Sequence, residues 1–383
     1  MENELLQTLI CGFQQTVRDP LWKDIKLSQG LSQVFRDPLV QNLDGIRQLG
    51  PAALVYPGAV HTRLSHSLGV CHISRLMLIS LLSKGCRCFS MEGAMSFLAS
   101  ALLHDLGHFP FAHSLKEVIT VSHEKLGSLM IQSSDSLGKA ISESGARLSW
   151  VCQIIDSSLK PDNSEIELYR SMLSGALDPD KLDYLCRDAF FCGVPYGVQD
   201  VSYIIDNIDI SGNRLCISSA SMPSIEHLLF SKYLMYRNVY WNRKVRSATA
   251  MIRTAITDAF DTGTLVQEDL FGLDDGSFFE LCRQRKIRKL RLVENARIGR
   301  LYDDLETSSP SDVLAMEEYR RKYPGYDIII DVPEHISFES DLLVSDIGKP
   351  FSECDQVFDQ AKIRDLARTL RMARIFGRKE IDG

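Results

Sequence analysis

Seven of the nine histidines in this 383-residue chain fall between His61 and His123. Histidine exchanges a proton near neutral pH and, when neutral, is a frequent metal ligand. The stretch around these histidines is apolar, and burying a polar side chain without a partner costs roughly 2–7 kcal/mol. Histidines and an aspartate set there need a partner, and a metal ion is one. His104 and Asp105 are adjacent at the end of the apolar run MEGAMSFLASALLH, where both side chains can point into one cavity. His66 opens the preceding run. Three ligands of mixed nitrogen and oxygen type suit Mn, Fe, Zn, Ni or, less readily, Mg. A fourth, carboxylate ligand is expected from Asp178, Asp180 or Asp183 in LDPDKLDYLCRD. His61, just after a Tyr-Pro-Gly turn, and His72 each read singly as turn or surface residues.

The elements that must hold these groups are helices. Apolar spacing predicts a long amphipathic helix from Ser67 to Ser83, ended by Gly85. The run from Met91 to His104 is apolar on nearly every face, which implies a buried helix packed antiparallel to the first. Further helical stretches are read over Ser122–Gln132, Arg147–Ile155, Ile225–Phe260 and Ser277–Leu305. Strand signals are few and late: Arg214–Ser218, Tyr326–Val332 and Leu342–Ile347. Ser133–Ser149 and Ser157–Ser164, rich in Ser, Asp and Gly, read as surface loops. The expected fold class is mainly α, with a helical core over 1–260 and a smaller mixed helical and small-sheet region over 261–383.

Bulk composition narrows the partners. Hydrophobic residues at 45% and charged residues at 24% fit an ordinary globular protein. A net charge of −7 argues against a general nucleic-acid coat, because phosphate backbones reward excess Lys and Arg. Ten cysteines without a C-x-x-C pair read as reduced thiols. The start of the chain lacks the pattern of a secretory signal, and no run reaches the ~20 apolar residues of a membrane span. A cytoplasmic protein with no membrane partner is expected. The basic run Arg283–Arg291 carries six Lys or Arg and reads as a solvated helix face, with a phosphate or nucleic-acid contact as its alternative. No Walker loop, G-x-G-x-x-G, H-E-x-x-H or G-x-S-x-G appears, so a covalent Ser or Cys nucleophile is not favoured.

Taken in order, four motifs resemble a known family. They are His61-Thr-Arg-Leu-Ser-His66-Ser-Leu-Gly, His104-Asp-Leu-Gly-His108-Phe-Pro-Phe-Ala-His113, His123-Glu124 and Asp180-Lys-Leu-Asp-Tyr-Leu-Cys-Arg-Asp188. Arg47-Gln-Leu-Gly50 and Tyr236-Arg-Asn-Val-Tyr240 add to them. The chain is similar to HD-domain deoxynucleoside triphosphate triphosphohydrolases, and the resemblance implies an HD-domain helical core with a small C-terminal α+β region. It further implies a divalent metal held by His66, His104, Asp105 and Asp180. Arg63, Lys181 and Lys232 would hold phosphates, and His108, His113 and His123 would line the phosphate side, with His113 as general acid. Tyr184, Asp188 and Tyr240 would contact the sugar, and Gln48 with Leu49 would lie near sugar and base. A nucleotide substrate and a homo-oligomer follow from the same resemblance.

This sequence departs from the family's pattern in places. Lys232 stands where an Arg is common, keeping the charge but not the bidentate geometry. Asn242-Arg243 replaces a His-Lys, and Asp44 replaces an Arg that serves regulatory nucleotide binding. Trp22-Lys23 stands where His-Gly commonly follows Asp-Pro. Three readings therefore stay open: a triphosphohydrolase acting at the α-phosphate, a phosphatase or phosphodiesterase for another nucleotide or phosphorylated metabolite, and a nucleotide-sensing or nucleic-acid-binding protein with weak catalysis.

Overall fold

A computed structural model describes residues 2–338, 341–355 and 357–379. Helices dominate. Six of them position the cavity described below: α1 (Arg63–Ser83), α2 (Met91–Leu103), α3 (His123–Ser133), α4 (Pro179–Cys192), α5 (Met222–Met235) and α6 (Arg243–Asp261). Helix α1 begins four residues before the apolar pattern does, because Thr62 and Ser65 form a reciprocal capping box. Ser90 caps α2, Asp178 caps α4, and left-handed Gly193 ends α4. Helix α1 is long and apolar enough to span a membrane by composition, but most of it is buried inside the protein.

Packing antiparallel brings the start of α1 to the end of α2. The rings of His66 and His104 meet there with centroids 5.3 Å apart. Helix α4 crosses the same end of α1. Its approach requires Gly69, since a Cβ there would sit 1.8 Å from Asp183 Oδ1. Gly107 plays the same part for α3, where a Cβ would come 2.0 Å from the His123 carbonyl oxygen.

Several expectations are corrected. A hairpin absent from the sequence reading, β1 (Gln15–Asp19) with β2 (Lys23–Leu27), precedes the core. The stretch read as a loop over Ser133–Ser149 contains a helix, Asp135–Glu143, capped by Ser134 and anchored by buried Leu137 and Ile141. Polar composition hid a two-residue apolar anchor at i, i+4 spacing. The helix read over Ile225–Phe260 is broken between α5 and α6 by a widened turn at Tyr236–Tyr240. The stretch Ser277–Leu305 breaks near Lys286, whose φ is 48°, and ends in a strand, Asp303–Ser308.

Late strands form as expected, but within two sheets. Asp303–Ser308, Ala373–Lys379 and Tyr326–Asp331 make an antiparallel sheet with Ala373–Lys379 in the centre. Leu343–Val344 pairs parallel with Arg214–Ile217 and so ties the C-terminal segment to the helical core. Both large apolar clusters draw on residues from either side of position 260. The basic run is largely neutralised in place: Arg283 meets Glu280 and Glu294, Arg285 meets Asp269, and Arg288 and Lys289 meet Asp258.

Candidate active site

At the meeting point of α1, α2 and α4 a cavity of about 420 Å³ opens. One end is a cluster of nitrogen and oxygen donors. His104 Nδ1 donates to the Ala101 carbonyl at 2.9 Å, which fixes the tautomer and leaves Nε2 as a bare acceptor. That Nε2 is buried with no hydrogen-bond partner. It lies 3.5 Å from Asp105 Oδ1 and 3.9 Å from Asp180 Oδ1. His66 Nδ1 donates to Asp183 at 2.8 Å, which turns Nε2 to within 2.9 Å of Asp180 Oδ1. The donor atoms of His66, His104 and Asp105 all lie within 4.8 Å of one another.

This end is arranged to hold positive charge. Burial disfavours a charged His66, yet hydrogen bonds to Asp180 and Asp183 push its imidazole up to about 10. Asp105 is likewise buried, but the charges of His108, Arg63 and His104 hold it well below the usual carboxylate range. The unpartnered Nε2 of His104, with His66 Nε2 against Asp180 and the carboxylates of Asp105 and Asp180 beside it, is a donor set of the type that holds a divalent cation. The residues present fit such an ion.

Next to this cluster lie His108, His113 and His123. Ring centroids of His108 and His123 are 3.9 Å apart, and those of His108 and His113 are 5.1 Å apart. His108 Nδ1 approaches Asp105 Oδ1 at 3.1 Å without hydrogen-bonding alignment. The donor atoms of Asp105, His108 and His123 form a second group close enough to share an ion. His113 is exposed where it opens to the cavity, and desolvation together with the charges of Arg63 and His123 lowers its imidazole below the ordinary value. Arg63 is anchored by Asp105 Oδ2 at 2.7 Å.

Away from the donor cluster the cavity turns aromatic and polar. Tyr240 donates to Asp188 Oδ2 at 2.6 Å, and His61 Nε2 meets Asp188 Oδ1 at 2.8 Å. Tyr184 stands edge-on to Tyr240 at 6.5 Å, and Gln48 and Leu49 close this side. His61 is thus a correction: it is 4% exposed, stacked on Phe191, and holds Asp188 in place. A His beside an exposed-looking turn gave no sign of that burial. His72, also read as a turn or surface residue, is partly buried near Trp22, and burial lowers its imidazole to about 4.

Thirteen of the fifteen residues expected in the site line this one cavity or its donor cluster. Lys181 and Lys232 do not. Lys181 Nζ donates to the Gly175 carbonyl and to Asp178 at 2.7 Å, because the helix cap draws it along α4. Lys232 Nζ donates to the Ser337 carbonyl at 2.8 Å and lies over the Phe338 ring. The cavity is also lined by Arg47, from the Arg47-Gln-Leu-Gly50 motif, and by Arg246, Thr249 and Glu334, which the sequence did not single out. Arg246 is clamped by both oxygens of Asp331, which also receives Arg253. Only the fold brings these distant segments together, so spacing carried no signal for them.

Residues 63–188 match the HD domain, and residues 199–317 match the HD associated region. An uncharacterized protein of Methanocaldococcus jannaschii is 30% identical over 338 residues, which cover 83% of this chain and 69% of that protein. The chain belongs to the HD-domain phosphohydrolase family. Its HD domain opens with Arg63 and closes with Asp188, so the matched segment contains the whole donor cluster. The deoxynucleoside triphosphate triphosphohydrolase SAMHD1 homolog of Dictyostelium discoideum is 25% identical over 330 residues, 81% of this chain and 59% of its own length. A phosphohydrolase of Bacteroides thetaiotaomicron shares the HD fold with a TM-score of 0.76 at 23% identity, over 96% of this chain and 100% of that one.

Proposed function

We propose that this HD-domain protein hydrolyses a deoxynucleoside or nucleoside triphosphate at its α-phosphate, releasing nucleoside and triphosphate. The observation that carries the reading is the joining, in one cavity, of a metal-type donor cluster and a tyrosine-lined polar side. His66, His104, Asp105 and Asp180 would hold the ion. When bound, a divalent ion polarises a phosphoryl oxygen and makes water a competent nucleophile near neutral pH.

The chain's own residues supply the remaining parts. Arg63, fixed by Asp105, presents charge to the phosphate beside the cluster. Tyr184, Tyr240 and Asp188 orient the sugar, and Gln48 and Leu49 bound it. His113 gives its proton to the leaving oxygen. Desolvation, then Arg63 and His123, depress its proton affinity; the negative charge of a nearby polyphosphate acts in the opposite direction and loads the ring. Such general acid assistance is worth roughly 10²–10⁴-fold.

A specific observation favours a second reading, a phosphatase or phosphodiesterase on a less charged nucleotide. Lys181 and Lys232 turn away from the cavity, which leaves Arg47, Arg63 and Arg246 as its arginine and lysine side chains. Incubating the protein with each dNTP and NTP plus Mn or Mg, and resolving the products, separates the two. Nucleoside plus triphosphate supports the first reading, whereas orthophosphate or nucleoside monophosphate alone overturns it in favour of the second. The homo-oligomer remains part of the proposal and is checked by sedimentation.

A further inference from the structure

Behind His66 lies a polar network in which every strong acceptor is occupied. Asp183 is fully buried and takes four donors. Its Oδ2 accepts from His66 Nδ1 and Arg187 Nε, both at 2.8 Å. Its Oδ1 accepts from Arg187 Nη2 at 3.0 Å and from the Trp22 indole N–H. Arg187, also fully buried, turns its remaining Nη1 to Asp19 Oδ2 at 2.7 Å. Asp19 Oδ1 meanwhile accepts the backbone N–H groups of Leu21 and Trp22, at 2.9 and 2.8 Å. The tip of the β1–β2 hairpin is thereby wired to the donor cluster through two side chains of α4.

We propose that the hairpin tip, through Trp22 and Asp19, positions the metal ligand His66 by holding Asp183 and Arg187 in place. The inference rests on the reading that the donor cluster binds a divalent ion. Four features carry it. Asp183 is the partner that fixes the His66 tautomer, and such outer partners of a ligating His tune both its orientation and its basicity. Asp183 rotates little, because each of its oxygens has two donors from different elements. The place is reserved in the packing, since a Cβ at Gly69 would fall 1.8 Å from Asp183 Oδ1 and 2.6 Å from Arg187 Nη2. Finally, Trp22 supplies an indole N–H donor to Asp183 from outside the helical core. Trp22 and Asp19 are positioning residues: they touch neither substrate nor ion.

The test measures divalent-ion affinity on the full chain, by competition with a chromophoric chelator, and the visible spectrum of the Co(II)-loaded protein. Trp22→Phe removes the N–H and keeps an aromatic ring, so it is the primary variant; Asp183→Asn is the stronger one. Outer-sphere changes of this kind typically weaken a metal 10- to 100-fold. Trp22→Phe is expected near the lower figure and Asp183→Asn near the upper, each with an altered Co(II) absorption band. Arg18→Ala, which breaks only the exposed Arg18–Asp24 pair on the same hairpin, is expected to change neither. A folded Trp22→Phe protein with wild-type affinity and spectrum overturns the proposal. So does an Arg18→Ala variant that weakens the ion equally. A wild-type protein that binds no divalent ion overturns the metal reading itself, and the positioning role with it.

Discussion

At the donor-cluster end of the cavity the groups that matter are held from behind by side chains of the helical core. His104 is fixed by a carbonyl of its own helix, His66 by Asp183, and Arg63 by Asp105. A second set of polar lining groups comes from α6 and from the segment after the strand Tyr326–Asp331. There Arg246 and Arg253 share Asp331, and Glu334 faces the cavity. Burial raises the Glu334 carboxyl above its ordinary value against the pull of Lys116 and Arg246. One end is a closed set of mutually oriented donors with a single use. The other is a charge cluster assembled from segments distant in the sequence.

Asp105→Asn should break the first end completely. It removes a metal donor and the partner of Arg63, whose side chain is 4% exposed. The expected outcome is loss of turnover to the assay background together with loss of bound ion, read by product chromatography and elemental analysis. Retained ion with lost turnover would assign Asp105 to the substrate side instead.

Asp331→Asn tests the other end. Arg246 and Arg253 would lose a fully buried counter-charge, and breaking such a pair costs about 3 kcal/mol or more. Thermal unfolding should fall accordingly, while ion stoichiometry stays at the wild-type value. If the ion were lost as well, the two ends would not be independent in the way their separate partners imply.

The contrast also explains how much the sequence revealed. Histidine clustering and residue type pointed to His66, His104 and Asp105 and to the aspartates at 178, 180 and 183, along with the helices that carry them, while the resemblance alone singled out Asp180. Arg246 and Asp331 are 85 positions apart and meet only through tertiary folding. The hairpin was missed because Gln15–Leu27 mixes charged and apolar residues without the β-branched density that marks a strand. Lys181 and Lys232 had the right charge at the right motif position, yet nearby carbonyls and a helix cap captured them. Motif position constrains a backbone; it leaves a long flexible side chain free to choose its acceptor.

Tyr240→Phe tests the tyrosine-lined side of the cavity. It removes the hydrogen bond to Asp188, while His61 continues to hold the other carboxylate oxygen. A hydrogen bond to a charged group contributes about 1.5 kcal/mol at the low end, or roughly tenfold. The effect should appear as a tenfold loss of kcat/KM with ion affinity unchanged. An unchanged kcat/KM would remove Tyr240 from the substrate contacts.

The smallest expected effect concerns two residues with left-handed backbone. Lys23, at the hairpin tip, has φ 66°, and Phe111, on the cavity wall, has φ 61°. A side chain there costs about 1–2 kcal/mol relative to glycine, which has no Cβ to clash. Phe111 recovers that cost through packing, with its ring against Phe278 at 5.2 Å and Phe279 at 6.0 Å. Lys23 is exposed, and its Nζ reaches only the Pro20 carbonyl. Lys23→Gly should therefore stabilise the protein by about 1 kcal/mol, seen as a higher midpoint in denaturant, whereas Phe111→Gly should destabilise it. If Lys23→Gly destabilised the fold instead, the lysine would be contributing to the hairpin tip, and the support of Trp22 and Asp183 would begin one residue further out than the hydrogen bonds show.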